Sequence, residues 1–170
     1  ALQGMGLGYA TSNRGACHLR AYTVSVEVVG EPEPMDPRAA EGKAAVTRAF
    51  QDTSTVVDAT GLCVFLTFGT TLESIRPILS AATGIEMSDE DVLRAGERIW
   101  NLERLWNLRA GITAADDTLP KRMLEQPISG GPAKGETSRL PEMLPEYYAE
   151  RGWDEEGRPT AKKLAELGLG

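Results

Sequence analysis

The stretch from Ser88 to Arg109 constrains the fold most, because it has both a start signal and a long helical period. Ser88 and Asp91 resemble a capping box, in which each side chain binds the backbone N–H of the other residue. Apolar side chains then recur at three- and four-residue intervals, at Val92, Leu93, Ala95, Ile99, Leu102, Trp106 and Ala110. This spacing predicts a helix over about 89–109 with these residues on its core-facing stripe. Surface or inter-helix ion pairs are predicted for the charged residues Glu97, Arg98, Glu103 and Arg104.

Helical patterns occupy most of the remaining chain. They predict helices over about 5–13, 38–51, 53–57, 71–84, 121–124, 140–151 and 161–167. The alternation in Val24–Val28 predicts one short extended segment, and the prolines of Glu31–Pro37 predict a loop. The expected fold class is therefore all-α, with roughly six or seven helices in a multihelical, irregular orthogonal packing with long connecting loops, rather than a four-helix bundle.

The composition argues against several classes of partner. The 170 residues can bury one substantial core, and the formal net charge of -7 argues against binding to nucleic acid, which needs a basic patch. No run of about 18 apolar residues occurs, so no membrane span is expected. The first residues do not resemble a signal peptide, and two cysteines without a disulfide pattern suit a reducing compartment. We therefore expect a cytoplasmic location.

The segment Asp58–Cys63, Asp-Ala-Thr-Gly-Leu-Cys, places an acid, a glycine and a thiol close together. The apolar run Val64–Leu66 that follows is expected to be buried, so an acid or thiolate beside it would need a hydrogen-bonded partner or a metal. A plain turn is the alternative. In that case Asp58 ends a helix, Gly61 adopts a positive φ and Cys63 is a small core residue.

His18 is the only histidine in the chain, and it stands beside Cys17 and between Arg14 and Arg20. An imidazole suits proton transfer, and the alternative is a partly buried, hydrogen-bonded histidine with no chemical role. Cys17 is expected to be a small buried residue rather than a ligand. The two arginines are either exposed charges or partners of an anionic ligand.

Two further polar stretches have common structural explanations. The paired acids Asp116–Asp117 could form a metal or acid/base pair, but a helix N-cap is the commoner use and the one we expect. The glycine-rich Gly130–Thr137 lacks the Lys-Ser/Thr ending of a phosphate-binding loop, so no nucleotide site is expected there.

The motif Asp58–Cys63 resembles the Asp-x-x-Gly-Leu-Cys segment of the aldehyde:ferredoxin oxidoreductase family, whose enzymes use tungsten, or sometimes molybdenum, with pterins. Other stretches resemble the family in the same order: Gly8–His18, Gly96–Ile99 with Asn101–Arg104, Asp116–Pro120, and Glu146–Tyr148 with Arg151–Trp153. The resemblance covers nearly the whole chain. It implies that residues 1–170 are the carboxy-terminal helical region of such an enzyme.

The resemblance also implies a cofactor and the residues that bind it. The family's tungsten or molybdenum is held by the dithiolenes of two pterins, next to a [4Fe-4S] cluster. Cofactor binding is implied for Arg20, Asp58, Gly61, Leu62 and Cys63. Cys63 matches a ligand of the cluster, and Asp58 matches an acid that hydrogen-bonds a pterin ring. His18 matches a histidine near the metal that takes part in proton transfer.

The chain departs from the family in the parts that it lacks. A [4Fe-4S] cluster needs four cysteine ligands, and this chain has two cysteines. The family's Cys-x-x-Cys-x-x-x-Cys run, its first pterin motif and its amino-terminal β domain are expected in an upstream region or a companion chain. The implied complete enzyme oxidises aldehydes to carboxylates and passes electrons through the cluster to ferredoxin. This piece is expected to supply one wall of the site, and to have no metal, cluster or turnover alone.

Alternatives from other functional classes stay open. A thiol enzyme would use Cys17, His18 or Cys63. A non-catalytic helical scaffold or interaction domain would pair with no metal-bearing partner. A family relative would keep the same cofactors and act on another substrate, such as an aromatic thioester.

Overall fold

The computed structural model describes residues 2–170, which form helices and connecting loops without a β-strand. The α-helices are α1 Gln3–Thr11, α2 Lys43–Ala59, α3 Leu72–Thr83, α4 Asp89–Arg109, α5 Lys121–Glu125, α6 Leu140–Arg151 and α7 Ala161–Glu166. Shorter turns are the π-helical Ser25–Val29 and the 3₁₀-helical Val64–Phe68 and Ala114–Asp116. The all-α, multihelical prediction is confirmed. Within the described range, every helix is too short or too polar to cross a bilayer.

The core lies where α2 packs against α1, α4 and α6. Its centre is apolar and aromatic, and includes Leu7, Ala44, Trp100, Met143, Tyr147 and Trp153. Gly96 lets α4 approach α2 closely, because a Cβ built at this position would lie 2.3 Å from the carbonyl oxygen of Asp52. Burial of large apolar side chains stabilises a fold by about 1.5–3 kcal/mol each. The helix that leads into the Asp58–Cys63 motif is therefore part of the most densely packed region.

The bounds of α4 and its capping box are confirmed, but its predicted core stripe is wrong except at Val92, which is buried. Ser88 and Asp91 form the reciprocal hydrogen bonds of the box. The apolar residues Leu93, Leu102 and Trp106 are exposed, Trp106 by 71%. Besides Val92, the buried face carries Gly96, Trp100, Asn101 and Arg104. The buried side of α4 is set by close packing on α2 and by polar partners inside the core, which hydrophobic spacing does not detect.

The predicted extended segment Val24–Val28 is also wrong. Ser25–Val29 forms a π-helical turn that buries Glu27. The Glu27 carboxylate accepts a hydrogen bond of 2.9 Å from the N–H of Gly4, in the first turn of α1, and lies 3.0 Å from the Lys43 ammonium. The first N–H groups of a helix have no partner within the helix, so this turn serves to cap α1.

Most other helical predictions are confirmed. The segments predicted over 38–51 and 53–57 join into the single helix α2, which begins later, at Lys43. Gly84 ends α3 with a left-handed backbone, and α6 has the predicted bounds. The Thr160 hydroxyl caps α7 by accepting a hydrogen bond from the N–H of Lys163. The predicted loop 31–37 contains no helix.

The paired acids Asp116 and Asp117 have separate roles. Asp116 closes a capping box with Thr113, whose N–H donates to it at 2.8 Å. Asp117 is buried and accepts hydrogen bonds from both terminal nitrogens of Arg104, at 2.9 and 2.6 Å. The N-cap prediction is therefore wrong for both acids. Asp116 lies in the first turn of the 3₁₀ segment, whose N-cap is Thr113, and α5 begins after Pro120 without a side-chain cap. Asp117 lies in the core instead, because a buried guanidinium requires a paired carboxylate.

Candidate functional site

The Asp58–Cys63 motif lies at the carboxyl end of α2, where the chain leaves the helix. The helix ends at Ala59, and Gly61 then turns the backbone with a φ of 73°. This region of φ favours glycine, so the predicted positive φ is confirmed. No atom lies within 4 Å of a Cβ built at Gly61. The glycine is therefore required by the turn, and the space over it is open.

The carboxylate of Asp58 is only half engaged. Its Oδ2 accepts hydrogen bonds from Nη1 of Arg20 at 2.7 Å and from Nη1 of Arg14 at 3.1 Å. Its Oδ1 accepts no hydrogen bond from residues 2–170, and 30% of the side chain is exposed. A carboxylate has about four lone-pair sites, so Asp58 keeps an outward acceptor for a further donor.

Arg20 is buried, with only 4% of its side chain exposed. Its Nη2 forms an ion pair with Glu103 of α4, and its guanidinium lies 5.1 Å from the centre of the Trp100 ring. The exposed-charge alternative is therefore wrong for Arg20. It describes Arg14 better, since 46% of that side chain is exposed. The two arginines approach the same carboxylate from opposite ends of one loop.

That loop also carries Cys17 and His18. Nε and Nη2 of Arg14 lie 3.4 and 3.3 Å from the Cys17 sulfur. Burial acts to raise the pKa of Cys17, but the hydrogen bonds and charge of Arg14, with backbone N–H groups of the loop, lower it overall. Cys17 is half-buried, not fully buried as expected. His18 is exposed and has no hydrogen-bond partner within residues 2–170, so the partly buried, hydrogen-bonded alternative is wrong.

The apolar run after the motif is exposed rather than buried. Cys63 is a free, exposed thiol, and Phe65, Leu66 and Phe68 are 53, 46 and 64% exposed. Phe65 stacks on Phe68 at 5.7 Å between ring centres, and Phe68 meets the edge of Tyr22 at 5.6 Å. The prediction of burial is wrong because this 3₁₀ turn packs along the surface and is covered by no other element of the described chain.

The residues present offer a thiol and a carboxylate oxygen to a cofactor but do not form a complete metal centre within the described range. Within the described range, no group of three or more His, Cys, Asp or Glu side chains comes close enough to hold a metal ion. A [4Fe-4S] cluster needs four cysteine ligands, and Cys63 presents one accessible thiol. Asp58 presents one free acceptor oxygen. Two surface cavities of about 460 and 730 Å³ lie elsewhere, and no residue of the motif lines either of them.

Comparison with known proteins identifies the family of the chain. The family model described as "Aldehyde ferredoxin oxidoreductase, domains 2 & 3" matches residues 1–169. The chain belongs to the aldehyde ferredoxin oxidoreductase family. It is 52% identical over 169 residues to the tungsten-containing aldehyde ferredoxin oxidoreductase of Pyrococcus furiosus, which covers 98% of this chain and 28% of that relative. The Pyrococcus abyssi protein of the same name has the same identity and coverage.

A third relative is more distant. It is the WOR-like subunit of an aliphatic sulfonate oxidoreductase from Pyrococcus furiosus, 33% identical over 122 residues, covering 66% of this chain and 19% of the relative. This member of the aldehyde ferredoxin oxidoreductase family thus spans about 28% of the length of the tungsten-containing relatives. The described residues of this part of the family are helical and include the Asp58–Cys63 motif.

Trp100 and Glu103, which adjoin the motif through Arg20, were not assigned to the site from the sequence. Trp100, fully buried, lies against Arg20, and Nδ2 of Asn13 donates to the Trp100 carbonyl at 2.9 Å. Glu103 was correctly predicted to form an ion pair, but its partner Arg20 is 83 residues away in the chain. The sequence did contain a signal for Glu103, because this residue lies in Asn101–Arg104, one of the stretches that resemble the family.

Proposed function

We propose that residues 1–170 are the carboxy-terminal helical region of an enzyme that oxidises aldehydes to carboxylates. Electrons would pass through a [4Fe-4S] cluster to ferredoxin, and the added oxygen would come from water. One observation carries the proposal: a chain 52% identical to tungsten-containing aldehyde ferredoxin oxidoreductases presents an exposed thiol and a half-used carboxylate at the end of one helix. A tungsten or molybdenum ion with two pterins supplies the two-electron chemistry when bound.

Each motif residue has a role that suits its surroundings. Cys63, exposed and free, is one cysteine ligand of the cluster. Asp58 uses Oδ1 to accept hydrogen bonds from the N–H groups of a pterin ring, which are suitable donors to a carboxylate. Gly61 and Leu62 carry the backbone past the pterin, and the open space over Gly61 allows this close approach.

His18 is the proposed proton-transfer residue. Its imidazole is exposed and unpaired within the described residues, on the loop that both arginines tie to Asp58. An imidazole both accepts and donates protons near neutral pH. Its role is to hold or move the proton that substrate oxidation releases. Arg20 belongs to the same site, which it adjoins through Asp58.

The exposed apolar surface beside the motif supports a shared site. Leu62, Phe65, Leu66 and Phe68 form an apolar edge next to the proposed ligand Cys63. Contiguous exposed apolar surface marks interaction sites in soluble proteins. The proposed partner is the upstream region of the same enzyme, or a companion chain, with the remaining cysteines. The 170-residue chain alone is therefore expected to hold neither metal nor cluster and to turn over no aldehyde.

The decisive experiment is metal analysis of the complete enzyme, purified with its upstream region. The wild type should contain tungsten or molybdenum and about four iron atoms per chain, the content of one [4Fe-4S] cluster. Cys63→Ala should lose most of the iron, whereas Cys17→Ala, the matched control, should keep it. Asp58→Ala should lose pterin and its metal. A wild type with neither iron nor tungsten or molybdenum would overturn the proposal and leave a helical scaffold in its place.

A different substrate is the second candidate. It is favoured by the similarity to the aliphatic sulfonate oxidoreductase subunit, which is a relative named for another substrate. In that case the metal analysis gives the same result, but aldehydes are not oxidised. Assays of the metal-containing enzyme with aldehydes, sulfonates and aromatic thioesters distinguish the two candidates.

A further inference from the structure

One oxygen atom of Asp58 holds both ends of the loop that carries His18. Arg14 and Arg20 lie on either side of His18 in the chain, and both donate to Oδ2. The proposed pterin-binding acid therefore accepts hydrogen bonds from two arginines that stand on either side of the proposed proton-transfer residue in the chain. A displacement of the Asp58 carboxylate would be transmitted to the histidine loop.

Of the two arginines, Arg20 has the more rigid position. Its Nη1 binds Asp58 at 2.7 Å, its Nη2 binds Glu103, and the Trp100 ring lies against its guanidinium. Its backbone carbonyl accepts a hydrogen bond of 2.8 Å from the Ser54 hydroxyl of α2. Arg14, by contrast, is about half exposed and shares its guanidinium with Cys17.

The position of Arg20 leaves it little contact with anything outside the chain. Only 4% of its side chain is exposed, and both terminal nitrogens bind carboxylates. Its Nε has no hydrogen-bond partner among residues 2–170 but is buried, so it is not accessible to an anionic phosphate at the surface. A guanidinium can span two carboxylates because its donors are fixed in a planar fork, and a lysine ammonium cannot do so in the same geometry. The burial of Arg20 and its pairing with two carboxylates indicate a residue that acts through Asp58 rather than one that contacts the cofactor.

We propose that Arg20 is a positioning residue, which fixes Oδ2 of Asp58 against Glu103 and Trp100 so that Oδ1 alone faces the cofactor, and which holds the His18 loop to the same carboxylate. Arg20 acts on binding and proton transfer through Asp58. This inference rests on the proposed function, since it needs Asp58 to meet a pterin.

The test uses the complete enzyme and four variants: Arg20→Lys, Asp58→Asn, the double variant of these two, and Glu103→Gln. Glu97→Gln is the matched control, because it removes a glutamate charge from the same helix at an ion pair with Lys163, remote from the motif. The readouts are metal content, the electron paramagnetic resonance spectrum of the metal centre, and kcat and KM for an aldehyde.

Arg20→Lys should lower kcat about tenfold or more and alter the resonance spectrum, because small misplacements of reacting groups are costly. Glu103→Gln should also lower kcat and alter the resonance spectrum, but less than Arg20→Lys does. The double variant should be no worse than Asp58→Asn, since residues acting as one unit are not additive. Glu97→Gln should match wild type.

The inference is overturned if the losses of Arg20→Lys and Asp58→Asn multiply in the double variant, which would indicate direct contact of Arg20 with the cofactor. It is also overturned if the wild type contains its full metal content and Arg20→Lys and Glu103→Gln have the same kcat, KM and resonance spectrum as Glu97→Gln. In both cases the proposed function survives. If the Arg20→Lys enzyme does not fold, Glu103→Gln is the test, because Glu103 is partly exposed and its substitution disturbs the core less. A wild type without metal removes the proposed function, and this inference with it.

Discussion

Two regions of the molecule differ in how far their polar and charged groups are paired. Where α2, α4, α6 and the carboxy-terminal loop pack together, the buried charges of Arg104 and Arg151 are paired with carboxylates of the same chain. At the carboxyl end of α2, the motif acid is half used, the motif thiol is exposed and the adjacent aromatic rings are uncovered. The first region has its buried charges paired, and the second leaves an acceptor, a thiol and apolar surface exposed, as the proposed completion by another part of the enzyme requires.

The first region contains two buried arginines. Arg104 donates to both oxygens of Asp117, at 2.9 and 2.6 Å, and the Tyr148 hydroxyl donates to the same carboxylate at 2.6 Å. Arg151 is fully buried and lies 2.5 Å from Asp52. Removal of one partner from such a pair leaves an uncompensated buried charge. These networks hold α2, α4 and α6 in the positions that place the motif.

The largest expected effect follows from breaking the first region at Arg151. Arg151→Ala should lower the free energy of unfolding by about 3–5 kcal/mol, the usual result of removing one partner of a buried pair. Burial raises the pKa of Asp52, and Arg151 is the main opposing charge. A raised pKa in the folded state gives stability that is present at low pH and lost as pH rises through it. The loss in the variant should therefore be greater at neutral pH than at mildly acidic pH.

Urea denaturation of the 170-residue chain measures this loss. Arg48→Ala is the control, because Arg48 lies 3.7 Å from the same carboxylate and 36% of its side chain is exposed. A loss from Arg151→Ala no greater than that from Arg48→Ala would mean that the buried pair does not stabilise this region.

A smaller effect is expected from a methyl group placed in each region. Gly96→Ala would bring its Cβ to 2.3 Å from the Asp52 carbonyl oxygen and 2.9 Å from a Val56 methyl. Overpacking of this kind costs about 1–3 kcal/mol. Gly69→Ala, beside the motif, meets no atom within 4 Å. Its effect on the unfolding free energy should be close to zero, and equal losses for the two variants would contradict the contrast between packed and open regions.

The smallest predicted change concerns the thiol that adjoins the open region. The charge and hydrogen bonds of Arg14 outweigh burial and lower the pKa of Cys17. Arg14→Gln should therefore raise the pH at which Cys17 becomes alkylated by iodoacetamide, followed by peptide mass spectrometry. Arg109→Gln, an exposed arginine at the end of α4, is the control. Identical midpoints in the wild type and Arg14→Gln would exclude this contact in solution.

The sequence was sufficient for the local structure of the helices. Residues with strong start and stop signals, such as Ser88, Gly84 and Thr160, mark helix ends in the structure where the sequence predicts them. Local capping and glycine chemistry act over a few residues, so they can be recognised without knowledge of the packing.

The side chains buried by packing were harder to predict. Hydrophobic spacing placed Leu102 and Trp106 in the core, but Arg104 and Asn101 lie there instead. Their partners, Asp117 and Trp153, are distant in sequence. The run Val64–Leu66 was predicted to be buried because an isolated apolar run normally is. Its exposure is accounted for by the proposed partner, an upstream region or companion chain that would cover it.

The motif was sufficient to locate the candidate site in the sequence, but it did not predict the contacts among the residues of the site. The sequence pointed to Asp58, Cys63 and His18 through the resemblance of their surroundings to the family. The sharing of one Asp58 oxygen between Arg14 and Arg20 depends on how α2, α4 and the loop before residue 20 meet. No local pattern contains that information.

Amide hydrogen exchange, measured on the 170-residue chain and on the complete enzyme, tests the contrast between the two regions most directly. The account predicts that amides of residues 60–69 exchange at least about tenfold more slowly in the complete enzyme, because another part of it covers the motif and its apolar edge. Amides of α4 and α6 should be protected similarly in both. Equal exchange of residues 60–69 in the two proteins would contradict the claim that the rest of the enzyme completes this site.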